Sequence, residues 1–139
     1  MTRGQDHKTD RAFRKIITDV MERPDNPYPS LRWALYYEKE SLGDPAVEEL
    51  VRDLNYIATH YAARRAHLRI GGPPVIFVYA AAGDAAGMAA RWAAARAQTN
   101  FYLVLKVYAG YRIDPNQPDS WHPYAPANRT DNQQPYSPE

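Results

Sequence analysis

Apolar residues recur along this chain with two different periods, and the switches between them predict the fold. Phe13, Ile16, Ile17, Val20 and Met21 fall at i, i+3, i+4, i+7 and i+8, the stripe of an amphipathic helix. Thr9 or Asp10 stands where a cap for its first amides is needed. Pro24, Pro27 and Pro29 end it, because proline lacks the amide hydrogen and clashes with the preceding turn. Leu31 to Tyr37 is bulky and aromatic and reads as a strand. A second helical stripe runs through Val47, Leu50, Val51, Leu54, Ile57, Ala58 and Tyr61. Asp44 is predicted at its cap and Pro45 at its first position.

Val75 to Tyr79 and Phe101 to Val107 are short apolar runs without alternation, set between chain breakers. That pattern marks strands buried on both faces, as in parallel sheets. Gly71-Gly72-Pro73-Pro74 reads as a turn. The alanine-rich stretch from Asp84 to Ala97 reads as a helix with Met88, Trp92 and Ala95 on one side. Strands separated by helices of this length imply right-handed crossovers. The predicted fold class is therefore α/β, with three parallel strands and crossover helices. Residues 1–8 are polar and expected to be disordered. Residues 9–112 form the folded unit. Residues 113–139 hold six of the 12 prolines and are expected to be a loop or tail.

Composition narrows the picture. The chain has 139 residues, enough for one domain. Alanine fills 21 positions, while Leu, Ile, Val and Phe together give 24, so the core is expected to be modest. A net charge of +1 gives no reason to expect nucleic acid or a membrane surface as partner. The lack of cysteine removes disulfides, thiol nucleophiles and thiolate metal sites. No run approaches the roughly 20 apolar residues of a membrane span, and the first eight residues lack the apolar region of a secretory signal. A cytoplasmic location is the default expectation. Four histidines stand outside metal-ligand spacings, and no Gly-rich phosphate loop occurs; no metal or cofactor is expected.

In parallel α/β sheets ligands bind at the carboxyl ends of the strands. Here those ends carry Tyr36 and Glu38, then Tyr79, then Lys106, Tyr111 and Arg112, followed by Trp121, His122 and Tyr124. All are expected to gather on one rim. Glu38 and Glu40 lie two apart, and on a continued strand their carboxylates would sit about 7 Å apart on one side, within the range glycoside hydrolysis uses. The plainer reading puts Glu40 in a solvated loop, with Lys39 paired to a neighbour. Tyrosine joins an apolar body to a polar tip, which suits stacking on sugars. Tyr56, Tyr61 and Tyr102 are expected to pack between helix and sheet instead, and His60 to lie at the surface or boundary.

Several segments in order resemble a known family: Arg32 to Glu40, Tyr56 to Tyr61, Pro74 to Tyr79, Phe101 to Arg112, and Trp121 to Pro126. Together they are similar to the central part of bacterial proteins of the glycoside hydrolase family 99 type, the endo-α-mannosidase and endo-α-mannanase relatives. The resemblance spans about residues 9–127. It implies a TIM-barrel fold, of which this chain would be a three-strand portion, and an oligosaccharide or glycan as ligand. It also implies that Glu38 binds substrate, with Tyr36, Tyr79 and the Trp121 to Tyr124 loop lining the cleft. The family's catalytic pair sits in an Asn-Glu-Trp-x-Glu-Gly pattern that this sequence lacks; Trp121 follows Asp119-Ser120. No catalytic residue is therefore assigned, and the chain alone is expected to lack turnover. Open sheet edges would allow self-association. The alternative is a non-enzymatic module for protein interaction or carbohydrate binding.

Overall fold

A computed structural model describes residues 5–79 and 85–123. Helix α1 spans Lys8–Ile16 and continues through wider π-type turns over Ile17–Met21. Strand β1 is Leu35–Tyr37. Helix α2 is Val47–Ile57, again prolonged by π-type turns over Ala58–Ala62. Strand β2 is Val75–Val78, helix α3 Ala85–Arg96, strand β3 Tyr102–Lys106 and strand β4 Ser120–His122. The strands lie in the order β1-β2-β3-β4, all parallel. The fold class is α/β, with four strands rather than the three expected.

The additional strand lies in the stretch expected to be a loop. Ser120, Trp121 and His122 register against Val104, Leu105 and Lys106. Asp119 holds this short strand in place. Its carboxylate accepts the amide of Leu103 at 2.8 Å and the guanidinium of Arg96 at 2.6 Å. The hydroxyl of Tyr102 donates to the Asp119 carbonyl. Three residues among prolines give no periodic signal, so β4 exists through pairing and not through local preference. Residues 124–139, with Tyr124, fall outside the described residues, as do residues 1–4.

Pleating divides the sheet into two unlike faces. Ile76, Val78, Leu103 and Leu105 share one face and are essentially fully buried. They pack on Leu50, Leu54 and Ile57 of α2 and on Met88, Ala89, Trp92 and Ala95 of α3. Small alanines on α3 lie against this core, and Trp92 fills the space beside them. Tyr37 meets it edge-on, with ring centroids 5.1 Å apart. Helix α1 docks at the margin of this core through Phe13, whose ring lies 5.7 Å from Trp33 and 5.8 Å from Tyr61.

Several local expectations are revised. The helix caps differ: His7, not Thr9 or Asp10, caps α1 by accepting the Thr9 amide, and residues 5–8, expected to be disordered, form a turn and the helix start. Asp44 does not cap α2. That helix begins after Ala46, which has no side-chain cap bond, and the Asp44 carboxylate accepts Arg91 at 3.2 Å. Only part of the predicted stripe of α1 faces inward. Ile17 is fully buried, while Ile16 and Val20, one ridge over, are 48% and 59% exposed. The turn at Gly71-Gly72 is present, with φ of +62° and +117°, values glycine adopts without a Cβ penalty.

Candidate functional site

The second face of the sheet carries the candidate site. Tyr36 on β1 registers with Phe77 on β2, Phe77 with Val104 on β3, and Val104 with Ser120 on β4. One step further along this face come Lys106 and its register partner His122. Tyr79 follows directly on β2, and its amide donates to the Tyr37 carbonyl at 2.9 Å. None of these side chains belongs to the helix-packed core.

The sheet curls around this face. Strands about 4.8 Å apart would put β1 and β4 roughly 14 Å apart in a flat sheet. The rings of Tyr36 and His122 nevertheless approach to 5.5 Å. His122 also meets Phe77 at 5.6 Å, and Tyr36 meets Tyr79 at 6.2 Å. His122 Nε2 lies 3.1 Å from the Val78 carbonyl oxygen, so the imidazole spans β3 to reach β2. With Nε2 protonated it donates that bond. The Lys106 ammonium sits 5.5 Å from the centre of the Tyr79 ring, a cation–π distance. The structure thus brings Tyr36, Tyr79, Lys106 and His122 together, as the sequence suggested, and adds Phe77, which sequence reasoning missed.

Trp121 and Tyr111 are not part of this group. Trp121 registers with Leu105 and so belongs to the helix-packed face. Adjacent residues on a strand point oppositely, which separates Trp121 from His122. The Trp121 ring meets Tyr111 at a tilt, 5.1 Å between centroids, and Tyr108 edge-on at 5.7 Å, and its Nε1 donates to Gln117 at 2.9 Å. Gly110, at φ +86°, turns the chain so that Tyr111 reaches this cluster. Arg112 lies over the Tyr111 ring at 5.7 Å. Tyr108 donates to Asp114; that hydrogen bond holds the Asp114 carboxyl below its ordinary range. Burial, together with the same bond, pushes the Tyr108 phenol up. The expected single rim is therefore two aromatic groups, divided by the pleat.

The two glutamates also separate. Strand β1 ends at Tyr37, and Glu38 precedes a single 3-10 turn over Lys39–Leu42, so the pair does not share a strand. Glu40 is neither solvated nor poised for catalysis. It is buried, its carboxylate takes the Arg91 guanidinium, and it accepts Trp92 Nε1 at 3.0 Å. Lys39 pairs as expected, with Glu49 and with Asp53. Glu38 remains at the carboxyl end of β1, directly after Tyr37.

Other polar residues buried in the fold serve its architecture. Asp10, buried on α1, accepts both Tyr56 and Tyr61 hydroxyls and the Asp6 amide, and Arg14 lies 3.4 Å away. Burial alone would raise its carboxyl. The two phenols, the amide and the guanidinium outweigh that and hold it below the usual range. Tyr56 and Tyr61 thus tether α1 as well as pack. Burial pushes the His67 imidazole down, and His67 Nε2 meets the Val75 carbonyl at 2.9 Å. His60 is a boundary residue against Arg14, at 3.2 Å.

Among the described residues no three His, Asp or Glu side chains converge to hold a metal ion, and no helix is long and apolar enough to cross a membrane. Comparison with protein-family models, curated proteins and solved structures finds no match, so the curled aromatic face itself is the guide to function.

Proposed function

We propose that this chain is a glycan-binding part of a (β/α) barrel of the glycoside hydrolase family 99-like type, recognising an α-mannoside-type oligosaccharide without cleaving it. The observation that carries the reading is the curled face over which Tyr36 and His122 meet. Four parallel strands in sequential order, with the helices of the core packed on the other face among the described residues, support the reading of a barrel wall. A doubly wound sheet would instead reverse its order at a switch point. Tyr36, Phe77 and Tyr79 offer ring faces for sugar stacking, and Glu38 stands at the rim to accept sugar hydroxyls. Lys106 and His122 complete the polar lining. The acid–base pair of such enzymes has no counterpart in the sequence, so binding without turnover is the expected behaviour.

The test is calorimetric titration of mannose oligosaccharides into the chain. Binding that weakens about tenfold on Tyr79→Ala, the scale of one aromatic contact with a polar tip, supports the reading. Binding unchanged by both Tyr79→Ala and Glu38→Ala refutes it.

A protein-interaction module is the second reading. It is favoured by Ile16 and Val20, which stand exposed one turn apart on α1, with Leu31 55% exposed nearby in sequence. A concentration-dependent shift in size-exclusion volume that Val20→Asp abolishes would favour that reading.

A further inference from the structure

We infer that the glycan accepted by the curled face carries an acidic group, a carboxylate or a phosphate ester, received by Lys106; this rests on the glycan reading above. Among the described residues, three of the four other partly buried Lys and Arg side chains have carboxylate partners, Arg64 being the exception. Arg14 meets Asp6 and Asp10, Arg91 meets Glu40 and Asp44, and Arg96 meets Asp119. Lys106, partly buried at the end of β3, forms no ion pair among the described residues. Its charge faces the Tyr79 ring instead. An ammonium on a partly buried side chain, set against a ring and no carboxylate, is electrostatically incomplete, and an anion completes it.

The arrangement discriminates between ligands. Lys106 lies over the ring that a sugar would stack on. A neutral sugar must displace the ammonium from Tyr79 and offers it only neutral hydroxyl acceptors in return. An acidic sugar draws the flexible four-carbon stem away from the ring and takes up its charge. The strand order sets the direction. Glu38 is at the end of β1, and Lys106 is two strands away on β3. The acidic group therefore lies on the β3 side, and the hydroxyls lie toward Glu38, away from like charge.

Calorimetry on the full chain distinguishes the sources of the acid, using mannobiose, a glucuronyl-mannose disaccharide and a phosphomannosyl-mannose disaccharide. The expected result is that at least one acidic probe binds about tenfold tighter than mannobiose, the effect of one charge-assisted bond. The tighter of the two identifies carboxylate or phosphate. Lys106→Met brings the probes to within about twofold of one another, while Lys106→Arg keeps the preference; Lys106→Gln serves if the Met variant does not fold. Equal binding of neutral and acidic probes by the wild-type chain overturns the inference and leaves the glycan reading standing. A preference that survives loss of the Lys106 charge does the same. Binding of none of the three probes refutes both.

Discussion

The ring of His122 lies 5.5 Å from that of Tyr36, although their strands stand at opposite edges of the sheet. That approach requires curvature, and the imidazole secures it by reaching the Val78 carbonyl. His122→Ala removes the hydrogen bond and two ring contacts. We expect a loss of about 1–2 kcal/mol in denaturant unfolding. His122→Asn, which can restore the donor but not the rings, should recover part of it.

The buried Glu40 is sensitive to a change of charge. Glu40→Gln keeps its shape and leaves the Arg91 guanidinium, whose side chain is 17% exposed, with a neutral amide in place of its buried partner and the exposed Asp44 as a carboxylate partner. Breaking such a pair costs about 3–5 kcal/mol when both charges are buried, and somewhat less here because Arg91 retains water. The double variant Glu40→Gln, Arg91→Met should be more stable than Glu40→Gln alone, as read from urea midpoints.

Asp10 gives the fold an acid limit. Its folded carboxyl titrates below its unfolded value, so its contribution is present above about pH 4 and is lost as pH falls through the folded value. Thermal melts between pH 5 and pH 2 should show a falling midpoint in the wild-type chain. In Asp10→Asn the midpoint should start lower and the slope should be shallower. An unchanged slope would mean that other carboxylates set the acid limit.

At the alkaline end the sign reverses. Burial, and then Asp53, push the Tyr37 phenol up, and burial and Asp10 do the same for Tyr61. A raised folded value contributes stability below the ordinary phenol range that is lost only as pH rises through the folded value. Of the 11 tyrosines, those at 37, 61 and 108 should be missing from the ultraviolet titration near pH 10 and should ionise together on unfolding.

Trp121 separates architecture from binding. Because its ring packs with Tyr108 and Tyr111 on the helix side, Trp121→Ala should lower stability by about 2 kcal/mol, less than the loss for a fully buried ring. It should leave oligosaccharide affinity within twofold. A large affinity loss at unchanged stability would return Trp121 to the binding face.

The elements legible in the sequence are those whose signal is local. The unbroken apolar runs at Val75 and Phe101 marked buried parallel strands, and the stripe from Val47 to Tyr61 marked α2. Strand β4 was not legible, because its three residues are held by Asp119, Arg96 and the β3 backbone rather than by their own pattern. The fates of Glu38 and Glu40 depended on where β1 stops, and the burial of Glu40 on partners 51 and 52 positions away. Burial of Asp10 likewise waited on tyrosines 46 and 51 positions distant. One separation was readable in principle. Trp121 and His122 are neighbours, and once a strand is recognised there the pleat must send them to opposite faces.

The contact among Glu40, Arg91 and Trp92 has a consequence for descent. The acid serves two donors from one helix turn, so its loss leaves the Trp92 indole without that acceptor and Arg91 with Asp44 as a carboxylate partner, while a change of either donor leaves the acid buried without its full complement. Single substitutions at these positions are expected to be costly. Lineages that carry this fold should hold the trio intact or have exchanged it together for an apolar set.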